Sequence, residues 1–272
     1  MKKQWTRILC LILSVLLVTA ALGGSMPARA AGGSLDMGGV IQLGDYENCS
    51  LHIAFYPEAL ETTDAVYPVV VWANGTICAP VLYTELLKSI AAAGFIVVTN
   101  SDVMSGSGSS QIAALDWILA QNADPDSVFY GKVDTARLAA AGHSQGGRSV
   151  VNACASDSRF ACAVSIAGSP FSSEAKKLST PTLFLTGTLD TIVLAAMWVK
   201  PAYNNCKGPA AYASLRGGIH TSCMLAADKY VDYTVQWLRA WLDGDGSALA
   251  VFQKGGALSA DKGWTGFACK GF

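Results

Sequence analysis

Several common functional signatures are missing from this chain. No Cys-x-x-Cys spacing occurs, so a structural zinc site has no support. No basic run interleaves with aromatic residues, which removes nucleic acid from the expected partners. No internal repeat and no interdomain linker interrupts the pattern. After the first thirty residues no apolar run reaches membrane-spanning length. Histidine is scarce, with only His52, His143 and His220 in 272 residues. That scarcity leaves few side chains able to act as a base near neutral pH.

The first thirty residues differ from the rest. Lys2, Lys3 and Arg7 precede an apolar stretch over 8–22, and Ala28-Arg29-Ala30 follows. This order reads as a secretory signal peptide cut after Ala30. The rival reading is a retained anchor. The run is short for a span, and Cys10 precedes the apolar core, against a lipoprotein anchor. Residues 31–272 then form the expected single catalytic domain, with 15 Lys and Arg against 20 Asp and Glu, a net charge of −5. Seven cysteines lie in that part: Cys49, Cys78, Cys154, Cys162, Cys206, Cys223 and Cys269. In an exported chain such a number points to disulfides, with at least one thiol left over. The expected pairs are Cys154–Cys162, across a short loop, and Cys206–Cys223, on either side of His220. The other reading makes several of them small buried apolar side chains.

Apolar strands are expected over 67–73, 95–99, 137–142, 161–167, 181–187 and 211–216, with helices over 81–93, 111–121, 145–154 and 226–242. Near-continuous apolar strands separated by helices imply an α/β fold with a mostly parallel sheet covered on both faces. Residues 51–56 alternate and suit an antiparallel edge strand. The serine- and glycine-rich stretch 105–110, between a strand and a helix, reads as a mobile surface loop.

The chemistry concentrates in Gly142-His143-Ser144-Gln145-Gly146. Gly-x-Ser-x-Gly between a strand and a helix is a nucleophile elbow. The glycines admit a tight turn, and the helix that follows aims its N–H groups at the surroundings of the serine oxygen. Ser144 is the expected nucleophile, and the N–H of Gln145 one oxyanion donor. The order serine, acid, histidine leaves His220 as base. His143 adjoins the serine and is expected to point across the turn and pack; His52 lies far upstream. Two acids fall between Ser144 and His220. Asp157 ends the elbow helix near Arg159 and reads as a solvated cap. Asp190 follows an apolar strand and is the expected partner of His220. The second oxyanion donor is expected from the loop Asn74-Gly75-Thr76, where Gly75 lets backbone approach the substrate and Thr76 supplies its N–H. Asn74, Gly75 and Ser169 are the expected substrate contacts, although Asn74 reads equally as a brace for that loop or as a turn residue.

The strand followed by Asn74-Gly75-Thr76, the segment Val133 to Gly147, the segment Pro181 to Thr191 and Gly217-Gly218-Ile219-His220 together resemble the bacterial cutinase-like and polyester hydrolase family of the α/β-hydrolase fold, to which Streptomyces-type lipases belong. The likeness runs over about 65–243. It implies an extracellular carboxylic-ester hydrolase without a large lid, needing no cofactor or metal, with Ser144, Asp190 and His220 as its triad and Thr76 and Gln145 lending oxyanion N–H groups. Three positions depart from the family pattern. Thr76 stands where an aromatic is usual, Gln145 where methionine is, and Ser169 where tryptophan often is. Those aromatics clamp rings, so short to medium aliphatic esters are expected in preference to aromatic polyesters.

The expected partner is an ester substrate, polymeric or lipidic, met by a secreted monomer. Two alternatives use the same residues: an acyltransferase that excludes water from the same acyl-enzyme, and a secreted binding protein with a relict elbow.

Overall fold

The computed structural model describes residues 39–44 and 51–272. The leader-like segment and Cys49 lie outside the described residues. Nine strands form one sheet in the order β1-β2-β4-β3-β5-β6-β7-β8-β9. They are β1 Val40–Leu43, β2 His52–Pro57, β3 Tyr67–Ala73, β4 Ile96–Asn100, β5 Val133–His143, β6 Cys162–Ile166, β7 Thr182–Gly187, β8 Ala210–Leu215 and β9 Trp264–Lys270. From β4 to β8 all neighbours are parallel, while β1, β2 and β9 run antiparallel to the strands they join. Among the described residues the four longest helices are α1 Thr84–Ala92, α2 Ser109–Ala123, α3 Gln145–Ser156 and α4 Asp228–Leu242. This is the α/β-hydrolase fold. The strand expected over 51–56 is the antiparallel β2, one residue further on, and β1 covers its outer side, so it is not the edge.

The strands are buried on both faces, and alternate side chains enter different layers. Val70, Trp72, Ala139, Ala141, Val164 and Leu185 pack with α1 and α4 residues such as Leu87, Ile90, Trp237 and Leu238. Val69, Val71, Leu138, Ala140, Ala163 and Phe184 pack with Leu115 and Ile118 of α2 and Val150 of α3. The alanine-rich end of β5 lets helices approach the centre of the sheet from both sides.

The division into two layers overturns both expected disulfides. Cys162 points into the α1/α4 layer and Cys154 into the α2/α3 layer. Cys223 and Cys206 are divided the same way. A short connection along the chain does not bring sulfurs together when the sheet lies between them. Cys78, Cys154, Cys162, Cys206, Cys223 and Cys269 are all free thiols.

The stretch 105–110 also differs from expectation. Ser105–Ser107 is a turn of 3-10 helix whose Ser105 and Gly106 are buried. Ser105 Oγ donates to Asn74 O at 2.8 Å, and Asn152 Nδ2 of α3 donates to Gly106 O at 2.9 Å. Small residues serve close packing against α3 here, not mobility.

Candidate active site

The register of the sheet brings the site together. Ala73 at the end of β3 pairs with Gly142, and His143 at the end of β5 pairs with Ile166 of β6. Gly187 at the end of β7 pairs with Leu215 at the end of β8. The loops after β3, β5, β7 and β8 therefore leave the sheet at one edge, where groups collect in such folds. A Cβ on Gly142 would come within 2.5 Å of Gly146 O, and one on Gly146 would overlap Ala73 O. Only glycine permits β3 and the elbow to approach this closely.

Ser144 sits at the tip with φ of 59°, a left-handed conformation that side chains rarely adopt. Its N–H donates to Ile166 O at 2.9 Å, which fixes the turn to β6. His220 Nε2 lies 2.9 Å from Ser144 Oγ, and His220 Nδ1 lies 2.8 Å from Asp190 Oδ2. The carboxylate can only accept, so Nδ1–H donates to Asp190 and the serine hydroxyl donates to Nε2. Asp190 Oδ1 accepts from the N–H groups of Ile192 at 3.0 Å and Val193 at 2.8 Å. Burial opposes its charge, but the hydrogen bond from His220 and those two N–H groups outweigh burial and hold the carboxyl below its ordinary range. Asp157 is tied to Arg159 by its carboxylate, at 2.9 and 3.0 Å to Nε, and takes no part.

In the loop after β3 the N–H groups on either side of Thr76 are engaged. Gly75 N–H donates to Tyr83 Oη at 3.0 Å, and Ile77 N–H donates to Val103 O at 2.9 Å. Among the described residues neither Thr76 N–H nor Gln145 N–H, the first of α3, has an acceptor. Ile77 adopts φ of 57°, uncommon for a β-branched residue.

Asn74 and Gly75 are corrected as substrate contacts. Asn74 is fully buried. Its Nδ2 donates to Asn100 O at 2.6 Å and Asp102 O at 3.2 Å, and its Oδ1 accepts from Thr99 Oγ1 at 3.3 Å. It braces the loop. Gly75 is buried beneath Thr76, its N–H already engaged. Beside Ser144 a cavity of about 480 Å³ opens between this loop and the segment after His220. Ile77, Leu82, Ile192, Met224 and Leu225 give it aliphatic walls; Ser169 does not line it. No sequence pattern marks that wall, since its residues come from three separate connections, those after β3, β7 and β8.

His143 also departs from expectation. It faces the site, with its ring centroid 4.7 Å from that of His220. Its Nε2 lies 2.9 Å from His220 O and its Nδ1 lies 3.0 Å from Tyr83 Oη. Burial, and secondarily the neighbouring His220, lowers its pKa to about 3, so the ring stays neutral.

A family described as PET hydrolase-like matches residues 52–253. The chain belongs to the PET hydrolase-like family. It is similar to a bis(hydroxyethyl) terephthalate hydrolase of Streptomyces coelicolor, 27% identical over 198 residues, which cover 70% of this chain and 62% of that protein. It is also similar to cutinase est2 of Thermobifida alba, 28% identical over 165 residues, or 58% of this chain and 54% of that one. A cutinase of Thermobifida fusca is 27% identical over 165 residues, 58% and 54% of the two chains. The chain thus aligns with little more than half the length of these relatives.

Proposed function

We propose that this protein is a serine carboxylic-ester hydrolase that works through an acyl-enzyme on Ser144, with aliphatic esters as its preferred substrates. The observation that carries the reading is the continuous chain from Ser144 Oγ through the His220 ring to Asp190, at 2.9 and 2.8 Å. In the proposed reaction Ser144 Oγ bonds to the ester carbonyl carbon while its proton passes to His220 Nε2. Asp190 stabilises the imidazolium. The carbonyl oxygen becomes an oxyanion facing the N–H groups of Thr76 and Gln145. Each such donor is worth roughly 3–4 kcal/mol of barrier. Collapse breaks the bond to the alcohol oxygen, which takes the proton from His220. Water then repeats the sequence on the acyl-enzyme and releases the acid.

The substrate class follows from the cavity beside Ser144. Its aliphatic walls suit a flexible alkyl chain. Thr76, which lines the cavity from the oxyanion loop, offers no ring for an aromatic group to stack on. Relatives named for a terephthalate ester and for cutin make ester chemistry the family's common ground.

The test is Ser144→Ala, assayed on p-nitrophenyl butyrate and with a fluorophosphonate probe. Removing a triad nucleophile typically costs roughly 10⁴–10⁶ in kcat. The wild type should label once and the variant not at all. A variant within about tenfold of wild type would overturn the assignment.

A further inference from the structure

Resting on the hydrolase reading, we propose that Tyr83 and His143 act as positioning residues: they form a buried strut that sets the oxyanion loop against the loop carrying His220. The strut runs from backbone to backbone. Gly75 N–H meets Tyr83 Oη at 3.0 Å, Tyr83 Oη meets His143 Nδ1 at 3.0 Å, and His143 Nε2 meets His220 O at 2.9 Å. Its two ends are the peptide groups of the residue before Thr76 and of the base itself. Tyr83 and His143 are 0% and 1% exposed, so water does not compete for these bonds.

Only one arrangement of hydrogens satisfies every partner. His220 O has no hydrogen to give, so His143 Nε2–H donates to it. A neutral imidazole carries one hydrogen, so Nδ1 is an acceptor. The Tyr83 hydroxyl must therefore donate to Nδ1, which leaves its oxygen free to accept from Gly75 N–H. Each bond orients the next. A protonated His143 would offer two donors and leave the tyrosine hydrogen without its acceptor. Tyr83, His220 and the Asp190 charge are the titratable groups that face the ring.

The surroundings hold the strut rigid. The Tyr83 ring packs on Trp72 with centroids 5.0 Å apart and on His143 at 5.7 Å. A Cβ on residue 75 would press to 3.0 Å from Tyr83 Oη and 3.3 Å from His143 Nδ1. Gly75 is thus held against the strut with no slack. The strut makes no hydrogen bond to Ser144 Oγ or to either nitrogen of the His220 ring. It fixes the separation between Thr76 N–H and the His220 ring, which must engage the same tetrahedral centre. Misplacement of about 1 Å in such a geometry can cost about a hundredfold.

The experiment measures kcat and KM on p-nitrophenyl butyrate per site titrated with a fluorophosphonate, for wild type, Tyr83→Phe, His143→Gln and His143→Ala. Per-site turnover removes the effect of any misfolded fraction. Tyr83→Phe keeps the ring but cuts two of the three bonds. Its kcat should fall roughly ten- to a hundredfold with KM within about twofold. The glutamine amide reaches the Nε2 position and can still donate to His220 O. His143→Gln should therefore retain more of kcat than His143→Ala. Per-site kcat equal to wild type in Tyr83→Phe and both His143 variants overturns the strut and leaves the hydrolase reading standing. A wild type inert to both ester and probe overturns the hydrolase reading itself.

Discussion

Acid should unfold this protein through His143, and the size of the effect follows from where the ring sits. The group is buried and neutral, with its pKa lowered to about 3 from an ordinary 6.5. Below pH 6.5 the unfolded chain takes up a proton that the native state refuses until about pH 3. The unfolded state then binds more protons, so stability falls as pH falls, by up to about 1.4 kcal/mol per unit. From about pH 6.5 to about pH 4.5 the loss from this one residue is about 2 kcal/mol, a sizeable part of a typical 5–15 kcal/mol. The lowered pKa of Asp190 works in a different window, since its contribution is lost only as pH falls below the ordinary carboxylate range. His52 is also lowered by burial and acts in the same direction as His143. The comparison therefore needs His143→Gln, which deletes one titration and keeps the others. Urea unfolding at several pH values would show the wild-type midpoint falling by about 1–2 M more than that of the variant across this range. Parallel curves would mean that the folded ring takes up its proton normally, and the argument from burial would fail.

Two further outcomes test the cavity and its loop. Across p-nitrophenyl esters of increasing acyl length, kcat/KM should rise about fourfold per methylene, the equivalent of about 0.8 kcal/mol each, until the cavity is full. Met224→Trp should stop the rise at a shorter chain, and a series flat in both proteins would show that the acyl group lies elsewhere. At Ile77, where φ is 57°, glycine and alanine both remove the side chain but only glycine tolerates that backbone. Ile77→Gly should melt higher than Ile77→Ala by an amount worth about 1 kcal/mol, and the reverse order would refute strain in the loop.

The strands that build the site were readable because burial on both faces makes them continuous apolar runs: 67–73 is β3 residue for residue. The outer strands hid for the opposite reason. β1 has only four residues, and β9 is half-exposed, with Gly266 at φ of 65° in its middle. Neither shows a run or a clean alternation. The disulfides failed because proximity along the chain says nothing about which face of the sheet a sulfur packs on: strand parity decides it for Cys162, and the packing of helices and their ends for Cys154, Cys206 and Cys223.

Parity also carried an unused signal about His143. It shares its face with Ala139 and Ala141, the layer covered by α1 and α4. Period two along β5 was available from the start, but the helix covering that face depends on the winding of the chain. Scarcity decides what else could be read. Three histidines and a required order leave one candidate base, so the histidine that lies between Ser144 and Asp190 could be named from the linear text. Tyr83 is one of nine tyrosines and lies sixty positions from His143. Nothing local marks it, because a neutral, buried hydroxyl becomes a positioning group only through the two partners the fold puts at its oxygen. A site of this kind is therefore legible where the chemistry demands a rare residue, and illegible where a common one is recruited by packing.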